Sequence, residues 1–145
     1  MLRSMLALCV ALGAPLAWAD GVGQVKIAKG TVTIERAGVS MPAAVGTRLQ
    51  ASDVVKTGSD GAVGITMTDN SLLSAGPNSV LALDRYDFDE VTSEGRFDAS
   101  LRKGTLAVVS GRLAKQSRDA MTVRTPAAVL GVRGTEFLVS VDDAR

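Results

Sequence analysis

The chain runs to 145 residues with 16 basic and 15 acidic side chains, a formal net charge of +1, one cysteine and no histidine. A balance this close to neutral supplies no bulk attraction to nucleic acid or anionic lipid. With no imidazole and no thiol beyond Cys9, zinc ligation and Ser-His or Cys-His catalysis are excluded for everything after that residue, and carboxylate chemistry alone stays open.

Met1 to Ala19 reads as a secretory signal, a helix in the precursor, with a basic start at Arg3, an apolar run from Met5 to Leu16 and a small-x-small site at Ala17-Trp18-Ala19. The run is shorter than the ~20 residues of a membrane span. Cys9 lies inside it behind Leu8, which excludes a lipid-modified cysteine at the cleavage point. Cleavage before Asp20 leaves residues 20–145, formally neutral and free of cysteine, as one periplasmic domain with its core at about 23–141 and no transmembrane helix. Such a domain stands on packing without disulfides. No cofactor and no metal is expected in it.

Beyond Asp20 the apolar residues recur at every second position, in Val25/Ile27, Val32/Ile34, Val63/Ile65/Met67, Leu81/Leu83, Leu106/Val108 and Val139/Val141. That is the period of a strand with one buried face, and no segment sustains a helical repeat over three turns. Gly and Asx punctuation falls between the runs at Lys29-Gly30, Ala37-Gly38, Gly58-Ser59-Asp60-Gly61, Asp69-Asn70, Gly76-Pro77-Asn78, Lys103-Gly104 and Ser110-Gly111. The pattern predicts an all-β fold, a two-sheet sandwich, a barrel or a short β-solenoid with many glycine turns.

The densest turn chemistry lies in Val123 to Phe137. Thr125-Pro126 removes a backbone donor and drives the preceding residue to extended geometry, and Gly134 offers a turn with φ above zero before the alternating strand Glu136 to Val141. Upstream, Val45-Gly46-Thr47-Arg48-Leu49 precedes an Asp-containing corner at Asp53 and a Thr-Gly turn at Gly58. Asn70 takes a turn position that glycine would otherwise fill. Gly76-Pro77-Asn78-Ser79 opens the next strand, Leu101-Arg102-Lys103-Gly104-Thr105-Leu106 forms a glycine hairpin, and Arg133-Gly134-Thr135 closes the series.

In order and spacing, these segments resemble the FecR domain, a periplasmic module of iron-dicitrate signalling, over about Gly23 to Val141. The resemblance implies a protein-interaction or signalling part of the cell envelope. It also implies that Asp53, Gly58, Gly76, Asn78, Gly104, Pro126, Arg133, Gly134 and Thr135 serve as structural turn residues. Full-length regulators of this kind carry a cytosolic anti-sigma segment, a membrane helix and a further periplasmic domain, and this chain is expected to lack them. The family domain usually adds another glycine turn and strand beyond Arg-Gly-Thr, so the last strand here is expected to offer a bare edge at Leu138 and Ser140.

Other patterns weigh less. Ser100-Leu101-Arg102-Lys103 and Lys56-Thr57-Gly58 imitate the S-x-x-K and K-T-G elements of serine β-lactamases, but in the wrong order and without S-D-N. Asp84, Asp87, Asp89, Glu90, Glu94 and Asp98 read as a solvated acidic loop, lacking the loop glycine of an EF-hand. Tyr86, Asp87, Phe88, Asp89 and Glu90 make it a second candidate contact. The basic excess at Arg102, Lys103, Arg112, Lys115, Arg118, Arg124 and Arg133 reads as charge on strand faces and on a flexible Ser110 to Asp119 loop. Tyr86, Phe88, Phe97 and Phe137 are too few for a stacking platform.

The expected function is therefore that of a non-enzymatic module binding an envelope protein. A glycan- or cation-binding module is the alternative, and a carboxylate-based hydrolase ranks last. Intact-mass analysis of the exported protein is expected to give a chain that begins at Asp20 and contains no cysteine; a lipid-bearing Cys9 in the mature protein overturns the compartment assignment.

Overall fold

A computed structural model describes residues 21–116, 119–132 and 136–142. Its twelve strands are β1 Gly23–Lys29, β2 Val32–Arg36, β3 Val39–Pro42, β4 Arg48–Leu49, β5 Val54–Thr57, β6 Ala62–Met67, β7 Leu72–Ala75, β8 Val80–Phe88, β9 Gly95–Val109, β10 Met121–Arg124, β11 Val129–Gly131 and β12 Glu136–Val141. One short helix, α1 Arg112–Gln116, lies between β9 and β10. The all-β expectation holds. The signal segment lies outside the described residues.

The strands form one curled sheet that folds into two layers. The first layer runs β4-β1-β6-β7-β9-β12, and the second runs β3-β2-β5-β8-β9-β10-β11. The fifteen-residue β9 belongs to both. Neighbours are antiparallel except for β9 and β10, which run parallel through Met121↔Phe97 to Arg124↔Ser100 because the chain returns through α1. Alternate residues of the two layers meet in one core: Val25, Ile65, Leu73, Leu106 and Val108 from the first, and Ile34, Val55, Leu83, Phe97, Leu101 and Met121 from the second.

Among the corners that carry the chain between layers, four stack at one end. They are Gly30-Thr31 after β1, Gly58 to Gly61 after β5, Gly76 to Ser79 after β7, and Gly104-Thr105 inside β9. Because β1-β6-β7-β9 in one layer matches β2-β5-β8-β9 in the other, the corners stack in that order. Backbone groups that no ladder can satisfy are met by the adjacent corner. Gly58 N–H donates to Thr31 O at 2.9 Å, and Asn78 N–H donates to Gly58 O at 3.0 Å. Thr57 Oγ1 donates to Gly76 O at 2.6 Å and accepts from Ser79 N–H at 2.9 Å. Ser79 Oγ donates to Thr105 O at 3.2 Å and accepts from Thr105 N–H at 3.0 Å.

This stack brings together Gly58, Gly76, Asn78 and Gly104 from the predicted turn set. Asn78 has φ of 53° and Gly104 of 91°, both left-handed. Gly58 and Gly76 are needed for space instead: a Cβ on Gly76 would reach 2.5 Å from Thr105 Oγ1, and one on Gly58 would lie 3.1 Å from Thr31 Cβ. Gly104 does not end a hairpin, as the sequence suggested. It bends a continuous strand from one layer to the other, because the flanking residues keep their ladders on both sides.

Three other expectations are corrected. Val25 and Ile27 do not share a face, because a bulge between them turns Ile27 outward over Gly64, leaving it 53% exposed. The acidic stretch is mostly strand: residues up to Phe88 belong to β8 and those from Gly95 onward to β9, so that only Asp89 to Glu94 form a turn. Tyr86 and Phe97 bury on its inner face and fix it there. The Ser110 to Asp119 loop contains α1, which buries Leu113 and Ala114.

Gly104→Ala is expected to destabilise by about 3 kcal/mol in urea titration, combining left-handed strain with a Cβ driven into Ser79. Gly38→Ala, at φ of 79° with open space around its Cβ, is expected to cost only about 1 kcal/mol. Equal losses would show that the stacked corners add nothing to backbone strain.

Candidate functional site

The end of the sandwich opposite the corners holds the buried ionisable groups Asp53, Asp69 and Tyr86. Asp53, fully buried at the β4–β5 corner, accepts Arg36 Nε at 2.8 Å and Arg36 Nη2 at 2.7 Å, together with Gln50 N–H at 2.9 Å. This fork-to-fork pair holds the Arg36 guanidinium above its usual pKa through the hydrogen bond to Asp53. It ties the end of β2 to the start of β5. Asp53 is thus spent on closing its own corner, while Arg36 escaped notice because its sequence neighbours give no sign of a carboxylate partner.

Asp69 is the second buried carboxylate. In the β6–β7 turn, where Asn70 takes φ of 69°, its side chain accepts from Ser71 N–H at 3.0 Å, Ser71 Oγ at 2.7 Å and Leu113 N–H at 3.2 Å. Ser71 Oγ also accepts from Gly111 N–H at 3.0 Å, so this turn anchors the start of α1. From the second layer Tyr86 Oη reaches across to Thr68 Oγ1 at 2.8 Å and accepts Asp69 N–H at 2.9 Å. Its ring packs edge-on against Phe97 at 5.2 Å. Burial, the largest influence, pushes the phenol up to about 12.

Beside Tyr86 an open crevice of about 1200 Å³ is lined by Arg48, Asp87, Asp89, Glu90 and Glu94. Two of its acids, Asp87 and Asp89, are already engaged. Arg85 Nε pairs with Asp87 at 2.9 Å, and Asp89 Oδ1 accepts the amides of Val91 and Thr92 at 2.8 and 3.2 Å. Arg112 donates to Glu90 O at 2.8 Å and lies over the Phe88 ring at 5.1 Å. Of the predicted contact loop, Tyr86 is buried in the core, Phe88 is half-buried, and Asp87, Asp89 and Glu90 stay at the surface. Among the described residues no group of three or more His, Cys, Asp or Glu side chains is placed to hold a metal ion.

The outer faces of the two layers differ sharply. The second carries charge: Glu35 pairs with Lys56 at 2.7 Å, Arg96 with Asp98 at 2.9 Å, Asp84 bonds Ser100, and Arg102 and Arg124 are exposed. At Asp98 burial works to raise the pKa, but hydrogen bonds from Thr122 and Arg96 outweigh it and hold the carboxyl below its usual range. The first layer carries its exposed charge at the sides, with Lys26, Lys29 and Arg48 on β1 and β4 and Glu136 on β12, and its middle across β6, β7 and β9 bears none. Its outward rows, read across β1, β6, β7, β9 and β12, are Gln24-Thr66-Leu72-Val109-Glu136 and Ile27-Gly64-Ser74-Ala107-Leu138. Leu72 is 45% exposed and Leu138 72%.

At the edge of that face, Leu138 and Ser140 lie on β12, which pairs with β9 from Glu136↔Val109 to Val141↔Gly104. Among the described residues no strand pairs with its other side. Pro126 sits in the β10–β11 turn, where Thr125 Oγ1 accepts Ala127 and Ala128 N–H at 3.3 and 3.0 Å. Arg133, Gly134 and Thr135 lie outside the described residues, as does Arg118. The remaining basic residues form no single patch, since Arg112 faces the acidic turn and Arg124 stands on β10. The aliphatic face was missed because its members lie scattered through the sequence and meet only in the strand register.

Among known families, the model described as FecR protein matches residues 53–145. No curated protein and no solved structure matches. The match begins at Asp53, whereas β1 and β2 upstream are hydrogen-bonded into the two layers, so the folded unit extends beyond it. No helix among the described residues is long and apolar enough to cross a membrane.

Tyr86 is the single tyrosine of the chain, so phenolate absorbance reads it alone. The native protein is expected to titrate near 12 and the urea-unfolded chain near 10. A phenol whose folded pKa is raised contributes stability that is whole below the unfolded value and is lost as pH rises from about 10 to 12, on the order of 2 kcal/mol. Tyr86→Phe is expected to abolish that part of the alkaline loss. A native titration near 10 would mean that the phenol does not span the layers.

Proposed function

The chain belongs to the FecR family, and from that premise we propose that it is an exported, non-enzymatic module that works by contact with another protein of the cell envelope. The family suggests a signalling or regulatory role in iron-uptake systems. What supports a contact role here is the contrast between the outer faces. A solvated sheet face ordinarily carries charge, as the second layer does, whereas an exposed apolar patch marks an interaction site.

Rigidity fits the same role. Corner stacking at one end and the Tyr86, Asp69 and Asp53 bonds at the other hold the first layer as a preformed surface, which lowers the ordering cost of association. The cation-binding alternative loses support because Asp87 and Asp89 are spent within their own hairpin. A hydrolase would need paired carboxylates in a cleft, and the buried carboxylates are bonded elsewhere, Asp53 to Arg36, Asp69 to its own turn and Asp98 to Arg96 and Thr122.

The test is face-specific capture from an envelope extract. Leu72→Glu, in the middle of the bare face, is expected to lower partner recovery at least about ten-fold with unchanged circular dichroism. Thr33→Glu, an equal charge on the outer face of the second layer beside Lys56, is expected to leave it unchanged. Equal recovery with both variants removes the first layer from the interaction.

A further inference from the structure

The two sides of the sandwich treat their edges differently. On one side β3 contains Pro42, which has no amide to offer, and β4 is only two residues long. Both are devices that block strand addition. On the other side β12 is six residues long, contains no proline or lysine, and among the described residues has a ladder on one side only. Beside it, in the second layer, Pro126 to Gly131 are all exposed and bring no charge.

We propose that a second copy of this chain occupies the β12 edge, forming a closed dimer in which the two β12 strands run antiparallel about a two-fold axis at Leu138. Symmetry favours this occupant. A head-to-tail contact would need the blocked β3 or β4 edge or the three-residue β11 edge of the next molecule and would propagate, whereas β12 against β12 uses the longest open edge twice and closes.

The side chains suit that register. With Leu138 opposite its own copy, Phe137 meets Val139 on the core side and Glu136 meets Ser140 on the outer side. No like charges face each other within the paired stretch. Leu138, 72% exposed in the single chain, becomes covered. A formal net charge of +1 sets no long-range repulsion against the approach. Joined this way, the two bare faces become one continuous surface. The pairing rests on edge geometry, while its use as a doubled contact surface rests on the interaction reading above.

Sedimentation of the exported chain is expected to show a dimer. Leu138→Lys, which sets two ammonium groups against each other, is expected to weaken it at least about ten-fold. Val91→Lys, equally apolar and 93% exposed on the β8–β9 turn, is expected to change nothing. In a Cys9→Ser background, Leu138→Cys is expected to give a covalent dimer on oxidation or with a short bis-maleimide. Ser140→Cys alone is expected not to, and Glu136→Cys with Ser140→Cys restores linkage. A monomer at every soluble concentration, a dimer indifferent to Leu138→Lys, or cross-linking of Leu138→Cys to a different protein each overturns the proposal. If the chain is monomeric yet Leu72→Glu still loses its partner, the dimer fails and the contact face stands; a dimer whose partner recovery ignores Leu72→Glu shows the reverse.

Discussion

Every crossing between the layers at the cornered end leaves backbone amides and carbonyls outside the strand ladders, and those groups find their partners in the next corner. Thr31 O receives Gly58 N–H, Gly58 O receives Asn78 N–H, and Ser79 Oγ sits between the amide and carbonyl of Thr105. A buried group left without a partner costs on the order of 1 to 3 kcal/mol. Moving one corner therefore strands groups on its neighbour, which ties the order of strands in one layer to the order in the other. Close stacking excludes side chains, so glycine is demanded at Gly76 by proximity and at Gly104 by both proximity and φ.

At the opposite end the layers are tied by side chains. Tyr86 brings one hydroxyl from the second layer to the backbone of a first-layer turn, and Asp69 in that turn reaches on to the amide of Leu113. Asp53 and Arg36 lock the β4–β5 corner against β2. Buried carboxylates contribute little to net stability compared with apolar replacements, but removing either partner leaves an uncompensated charge. Their effect is to fix geometry, and with the stacked corners they define the sandwich without a disulfide.

Local demands were legible in the sequence and distant ones were not. Asn70, Asn78 and Gly104 announce left-handed turns by residue type, and the alternation of Val63, Ile65 and Met67 announces a half-buried strand, because both signals act over a few residues. The Arg36–Asp53 bond joins positions on different strands, and the bulge that turns Ile27 outward depends on its pairing with Gly64. The acidic stretch misled for a related reason. Its alternation is broken by a bulge between Leu83 and Arg85, so Asp84, Asp87 and Asp98 cluster in sequence with the acids of the turn although they stand on the outside of two paired strands. The short α1 is held by capping from Asp69 and Ser71 rather than by its own periodicity, and no window of its sequence carries that information.

The bare outer face of the first layer and the open β12 edge are one continuous feature, since Leu138 belongs to both. The outward side chains of both lie outside the core, and a sheet selected only for folding has no reason to leave Leu72, Val109 and Leu138 in water while the companion layer keeps Glu35, Lys56 and Arg102 there. Such a face invites nonspecific pairing, and the blocked β3 and β4 edges confine that hazard to one side. Confinement turns an exposed apolar sheet into a directional one, because an approaching chain finds unpaired amides and aliphatic side chains together on the β12 side, along β12 and the shorter β11. The stacked corners hold that edge in place by fixing β9, with which it pairs, at Thr105. The same backbone constraint that makes the fold is what presents the surface.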